Sequence, residues 1–521
     1  FLLLATPFFF AGVITSVGFA RRTSRPGVVY AASMIGSAIG ATMAALLLPR
    51  IGFSGCVLLS AGFAAVPSVI RGRAWSRLGS IAFMILIGSL SVLGPDLAPT
   101  PSSYKALQRF MQHPDARVLS TEESITGRMD TYDGSGLHAA PGLSLKYRGP
   151  IPAQTAVFTD GGAAVALYAA SAAASAAASA ADYKFALASV GAAPFAVVPR
   201  PDRVLVVLKG GGSAIAAAIA SEASVVNVLA FPAGRATTVA SQYSGLGVAV
   251  TSGPLRRSIG KLEDFYDLIL IDHPGSSVPG MTSINEDFLL TTEAFLKLLC
   301  HLEPGGILSV TRRLQIPPSD SLKALGIAFA ALEEMGYPNP LEHTCILRSY
   351  NTYTLMIARA PIDDSGRRSI REFAAKLGFD IVQLNGLLPE EANRHNQRPS
   401  AIYFDAVRAL ATDLESGSDA FTATYYADIT APRDGRPYFS RFVRWRALRE
   451  LFDATGGRTY PFYFASEILI ALVFGIALIF SAAIIVTPAI ASTKRKRRRP
   501  AVLYLSIISL LLGVGYMFFE I

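Results

Sequence analysis

Cysteine is nearly absent from this chain. Only Cys56, Cys300 and Cys345 occur in 521 residues, and no two form a CxxC pair. Histidine is almost as scarce, with six residues, and no His/Cys cluster has the spacing of a metal site. A zinc module is excluded, no metal is expected, and structural disulfides are not expected either. The three cysteines read as small buried hydrophobes. Charge is thin too: 16% of residues are Asp, Glu, Lys or Arg, against 51% hydrophobic. With a mean hydropathy of +0.40 the chain is too apolar for a purely soluble protein, yet too charged for a purely membranous one. Several domains are expected. Of the net charge of +9, much sits in the Lys/Arg run 494–499. That excess reads as a membrane-topology signal. No basic patch with interleaved aromatics exists, so nucleic acid is not an expected partner.

What the chain does have is long apolar runs. Four come first, at 1–20, 28–48, 51–70 and 78–94, each close to the ~20 residues that cross a bilayer. Gly36 and Gly40 form a small-xxx-small pair in the second, which lets helices approach closely. Arg21, Arg22 and Arg25 follow the first run, Arg50 alone the second, and Arg71, Arg73 and Arg77 the third. The positive-inside rule places the first and third loops in the cytoplasm. Everything from about Pro95 to Tyr460 then lies outside it. A fifth span at 468–486 returns the chain inward to the 494–499 run, and a sixth starts at Ala501. This predicts a multi-pass protein of the bacterial inner membrane, with the lipid bilayer as a partner and an extracytoplasmic soluble domain. The chain opens at Phe1 without Met and closes at Ile521, each inside an apolar run, so both ends are read as cut from a longer membrane protein.

The expected organisation is four transmembrane helices in 1–94, a linker in 95–116 and a small β-hairpin subdomain in 117–161. An Ala-rich connector in 162–202 follows, helical over 163–188 because Ala is the best helix former. A Rossmann-like α/β domain is expected in 203–361, a helical extension in 362–460 and two transmembrane helices in 461–521. The α/β domain is organised around two stretches. Arg203-Val-Leu-Val-Val-Leu-Lys-Gly-Gly-Gly-Ser213 is a short apolar strand opening onto three glycines and then a helix. Tyr266-Asp-Leu-Ile-Leu-Ile-Asp272 is a second buried strand, ending in an acid. Ligands of open α/β sheets bind outside the carboxyl ends of such strands. Gly210, Gly211, Gly212 and Asp272 are therefore the candidate nucleoside-facing residues. Strands are expected at 204–208, 225–229, 248–251, 268–271 and 307–311, with helices between them, including one at 286–302. A hairpin at 344–348 and 353–358 closes the sheet.

Several stretches together carry a family resemblance. They are Pro141-Gly-Leu-Ser-Leu-Lys-Tyr-Arg-Gly-Pro-Ile-Pro152, Thr159-Asp-Gly161, the glycine turn, Glu286-Asp-Phe-Leu-Leu-Thr-Thr-Glu-Ala-Phe295 and Pro304-Gly-Gly-Ile-Leu-Ser-Val-Thr-Arg312. Pro317-Pro318, Asp434-Gly-Arg-Pro-Tyr-Phe439 and Gly515-Tyr-Met-Phe-Phe-Glu520 complete the set. As a set they resemble the membrane-embedded spermidine-synthase-like proteins of bacteria. The resemblance implies a methyltransferase-type fold flanked by membrane helices. In members with intact sites it implies S-adenosylmethionine or its decarboxylated form as cofactor, and aminopropyl or methyl transfer.

The sequence departs from that pattern where chemistry is done. Leu229 or Phe231 stands where an acid holds the ribose hydroxyls. Thr251-Ser-Gly-Pro254 replaces the acid that usually touches adenine. Asp272-His273-Pro274-Gly275 keeps only the first of two aspartates. The glycine turn carries Lys209 and Ser213-Ala214 with no acid after it. A ribose diol without its acceptor loses roughly 1–3 kcal/mol, and an amine substrate needs both a carboxylate and a base. An extracytoplasmic domain also lacks access to cytosolic adenosyl cofactors. The reading is therefore a catalytically silent synthase-like domain with no cofactor, a scaffold or accessory subunit among other membrane protein subunits. One alternative is an active transferase in which Asp272 is catalytic and Gly210, Gly211, Gly212 and Asp272 hold the adenosyl group. The other is the regulatory part of a transporter. The near absence of ionisable residues from the spans, beyond Glu467 and Glu520 at their ends, speaks against that.

Overall fold

The computed structural model describes residues 10–14, 17–18, 26–93, 100–169, 179–275, 282–454 and 465–492. They form two compact units. One takes in positions up to 274 with 297–312 and 341–399; the other takes in 275–296, 313–340 and the positions from 400 on.

The first unit begins with helix α1 (Pro26–Arg71), whose path breaks at Gly52, at φ 67° and ψ 179°. Only glycine reaches that conformation readily. The two spans expected at 28–48 and 51–70 are thus one helical run with a break, where a plain loop was expected. Its apolar side chains face outward, among them Ile35, Ile39, Phe63 and Ile70. It is one helix long and apolar enough to cross a membrane by length and composition. Helix α2 (Ala74–Leu93) follows. Most of the first span, the Lys/Arg run 494–499, the span from Ala501 and the 515–520 stretch lie outside the described residues.

Next comes a four-stranded antiparallel sheet in the order β1 (Arg117–Ser124), β2 (Gly127–Asp133), β3 (Ala153–Thr159) and β4 (Val165–Ala169). The fourth strand corrects the sequence reading, which put a helix there. Alanine favours helix, but Val165, Leu167 and Tyr168 pair along β3 and Ala166, Leu167 and Tyr168 are buried. Tertiary pairing overrides a weak intrinsic preference. Residues Ala180–Ala188 are 3-10 helix, and 170–178 lie outside the described residues. The stretch 143–147, inside the expected β-hairpin subdomain, makes a single bridge, Leu143 to Ser189.

The core of the unit is an eight-stranded sheet. Strands β5 (Arg203–Leu208), β6 (Val225–Ala230), β7 (Val248–Ser252), β8 (Tyr266–Asp272) and β9 (Leu302–Arg313) run parallel. β10 (Thr344–Arg348) and β11 (Thr352–Ala358) are the closing antiparallel hairpin. From the β7 edge the parallel strands run third, second, first, fourth, fifth, and the hairpin follows. This is a methyltransferase-type α/β core. β5 is apolar along its length because both faces are covered: Val204 through Leu208 are all fully buried. The chain reverses direction across the sheet between β5 and β8, where Leu208 pairs with Asp272. Helices α3 (Ser213–Ala220) and α4 (Ala233–Gln242) follow β5 and β6. The short strand β12 (Asp380–Gln383) adds an eighth position beside β10, pinned by a buried Arg348–Asp380 ion pair at 3.0 Å. The cysteines diverge from expectation: Cys345 is buried, Cys56 half-buried and Cys300 exposed.

The second unit holds α5 (Asp320–Glu334), the helix Ile402–Ser416 and α6 (Ala465–Ser492). The helix expected at 286–302 is shorter, Thr292–Cys300, and its residues are divided between the two units at 296 and 297. Lys323 of α5 is buried, its Nζ donating to the Arg441 carbonyl at 2.8 Å and lying 5.0 Å from the Phe442 ring. Burial pushes that ammonium down to about 8. Asp434 accepts from Thr291 Oγ1 at 2.7 Å, and its own amide donates to Glu293 at 2.9 Å. The Asp434–Phe439 stretch is thus fixed to the start of the neighbouring helix by charge-assisted bonds.

Candidate functional site

The candidate site lies at the carboxyl ends of β5 and β8. β5 runs out at Leu208, and Lys209, Gly210, Gly211 and Gly212 make the turn into α3. The amides of Lys209 and Gly210 donate to the Asp272 carbonyl at 3.0 and 2.7 Å, so the strand end of β8 holds the turn in place. The structure therefore brings all four sequence-derived site residues together.

What the glycines face is the protein itself. A Cβ on Gly210 would come within 2.5 Å of Asp272 Oδ1 and of Pro274 Cδ; one on Gly211 would come within 2.6 Å of the Ala166 carbonyl. One on Gly212 would overlap the Tyr243 hydroxyl. The Gly212 amide, a natural phosphate or carboxylate ligand at a helix start, donates instead to the Ala166 carbonyl at 2.7 Å. Strand β4 thus covers the turn. Tyr168 anchors it, donating its hydroxyl to the Ala139 carbonyl at 2.9 Å and bonding Ser213 Oγ at 3.2 Å.

Asp272 is half-buried as a residue, but its Oδ2 is closed off from solvent and has no hydrogen-bond partner among the described residues. Burial raises its carboxyl to about 7; the Ala214 amide and the charge of Arg235 pull the other way and lose. Arg235 is itself buried and donates to the Lys209 carbonyl at 2.8 Å. Beside Asp272, among the described residues, lies a cavity of about 30 Å³ lined by Ser189, Ser213, Asp272, Ser309 and Thr311 among others. That is room for about two water molecules.

No family model matches the chain, and no curated protein matches it. Among solved structures it is similar to the spermidine synthase of Thermotoga maritima, at 13% identity over 50% of this chain and 78% of that one, with a TM-score of 0.31. It is similar to a probable spermidine synthase from Corynebacterium glutamicum, at 14% identity over 55% and 96% and a TM-score of 0.35. It is also similar to human methyltransferase-like protein 13 in complex with SAH, at 15% identity over 37% and 90% and a TM-score of 0.26.

The residues present do not fit an adenosyl cofactor. Small-molecule sites enclose roughly 300–1,000 Å³, ten times the space here. At the end of β6, Leu229 and Ala230 are buried apolar residues, and β7 ends in Thr251, Ser252 and Gly253. Neither supplies a carboxylate for a nucleoside. His273 is buried, its amide directed at the Thr311 carbonyl at 3.4 Å and its own carbonyl accepting from Arg312 at 3.2 Å. It is held as part of the sheet edge. Among the described residues no group of three His, Cys, Asp or Glu residues has the geometry to hold a metal ion.

Sequence reasoning missed the residues that fill the site: Ala166, Tyr168, Tyr243 and Arg235. One signal was available. Val165-Ala-Leu-Tyr168 is a stretch of the Ala-rich region with a strand-forming composition.

Proposed function

We propose that the α/β domain is a catalytically silent transferase fold, serving as a scaffold or accessory subunit of a membrane protein assembly. One observation carries this reading. The glycine turn that would face a cofactor is covered by β4 and the Tyr243 hydroxyl, so the amide and the space a ligand needs are already taken. The outward apolar face of α1, with the apolar helices α2 and α6, supports a chain that crosses the bilayer several times. The arginines after α1 and the Lys/Arg run 494–499 support an inner-membrane protein whose α/β domain is extracytoplasmic. Its partners are lipid and other membrane subunits.

A second reading rests on Asp272. A carboxyl held near 7 is matched to general-base work at neutral pH, and an active transferase would need β4 and Tyr243 to move aside. Titration calorimetry of the full chain in detergent, with S-adenosylmethionine, its decarboxylated form and 5′-methylthioadenosine, separates the two. The silent reading expects no heat of binding up to millimolar ligand. Micromolar binding of any of the three overturns it in favour of the second.

A further inference from the structure

Adjacent side chains on a strand point to opposite faces. Near the end of β1, Glu122 and Glu123 are such a pair, and each meets a different helix. The Glu123 carboxylate accepts from the Phe53 amide, the first amide after the break at Gly52. The Glu122 carboxylate lies against the open side of Gly234, in the first turn of α4, where any side chain would collide with it. Carboxylates are stabilised at helix starts because the first amides there have no partner within the helix. Arg128 on β2, directly across from Glu123, pairs with Asp130 at 3.0 Å and reaches Glu123 at 3.8 Å, steadying the strand tip.

We propose that the end of β1 is a joint, the place where the antiparallel sheet grips the broken apolar helix and ties it to the α/β core. Glu123 caps the arm that starts at Phe53, and Glu122 packs against Gly234 in the first turn of α4. The joint is not packed solid: a cavity of about 600 Å³ lies between α1, the two strands and the 232–234 segment. The arm therefore has room to shift while the Glu123 cap and the Glu122 contact hold. The 232–234 segment follows directly on the strand end where a ribose-binding acid is missing, so the joint connects the helix break to the rim of the filled cleft. Glycine is required on both sides. Gly52 supplies the positive φ of the break, and Gly234 leaves space for Glu122. This inference is independent of whether the cleft binds a ligand.

Hydrogen exchange of the full chain in detergent tests it. Loss of an N-terminal cap weakens a helix start enough to speed local exchange roughly 3- to 30-fold. Glu123→Ala should do this at the amides of 53–56 and leave α4 unchanged. Glu122→Ala removes the contact with Gly234 and should speed exchange at 234–237 while leaving 53–56 unchanged. Glu123→Gln keeps an acceptor oxygen and should retain most of the protection. Slow exchange in β5 and β8 reports that the core is intact. If Glu123→Ala loosens the core as a whole, the Gln variant decides, and loss of protection at 53–56 with an intact core in that variant overturns the joint. So does an unchanged 53–56 in the Ala variant, or the same set of amides responding to both glutamates.

Discussion

The Tyr243 hydroxyl accepts the Tyr168 amide at 3.2 Å, and it does so where a side chain on Gly212 would have to go. One phenol thus satisfies a buried strand amide and blocks the glycine turn. Burial pushes that phenol well above its ordinary range, so it stays neutral. The glycines at 210–212 are needed for a close approach, but the approaching group is the chain's own strand.

The first prediction follows from that contact. Gly212→Ala should destabilise the chain by about 1–3 kcal/mol through overpacking. Tyr243→Phe removes the overlapping oxygen, so the double variant should recover part of the loss. A thermal-unfolding double-mutant cycle measures it, and strict additivity would disprove the overlap.

The second concerns pH. Asp272 has a folded value raised from 3.8 to about 7. Below about pH 4 both states hold the proton and the group costs nothing. Between about 4 and 7 the unfolded chain releases its proton while the folded chain keeps it, so stability falls with rising pH; above 7 the loss is constant. Asp272→Asn keeps the oxygen that accepts the Ala214 amide and removes the charge. It should be nearly neutral at pH 4 and stabilising at pH 8, by an amount on the order of 4 kcal/mol at most. Denaturation midpoints at the two pH values are the readout; an equal effect at both would contradict the buried, unpaired oxygen.

The third separates missing chemistry from missing space. Leu229→Asp restores a carboxylate at the end of β6. It should not create S-adenosylmethionine binding, because the glycine turn stays covered by β4 and the Tyr243 hydroxyl. Instead it should destabilise the domain by a few kcal/mol, as burying an unpaired charge does. Micromolar binding by calorimetry would mean that the cleft opens.

The fourth tests topology with a native thiol. Cys300 is exposed, whereas Cys345 is buried with its thiol pushed far up. A membrane-impermeant maleimide applied to intact spheroplasts should label the chain, and Cys300→Ser should remove most of the label. Labelling that appears only after lysis would place the α/β domain in the cytoplasm.

The parallel core was legible because buried strands such as Val204–Leu208 and Leu268–Ile271 announce themselves by composition, and glycines with a following helix mark the turn. That no acid stands at the end of β6, where Leu229 lies, was equally plain. The cover over the turn was not. β4 lies in an alanine-rich stretch whose local preference is helical, and only its pairing with β3 makes it a strand. Tyr243, at the end of α4, reaches Gly212 through tertiary packing that no local pattern encodes. The break at Gly52 was hidden for a similar reason: glycine is common in apolar spans, and its positive φ is visible only in three dimensions.

The eighth strand has a consequence for how copies of this chain meet. Without β12, β10 would present five residues of unpaired backbone, a ready template for a neighbouring strand. With it, the margin is four residues long, all of them buried, bent by a register shift and anchored by Asp380, which also takes the amides of His395 and Asn396 at 2.7 and 2.9 Å. Such a margin is a poor partner for sheet extension. Association of this unit is thereby steered away from strand-to-strand addition on this side and toward contacts made by side chains.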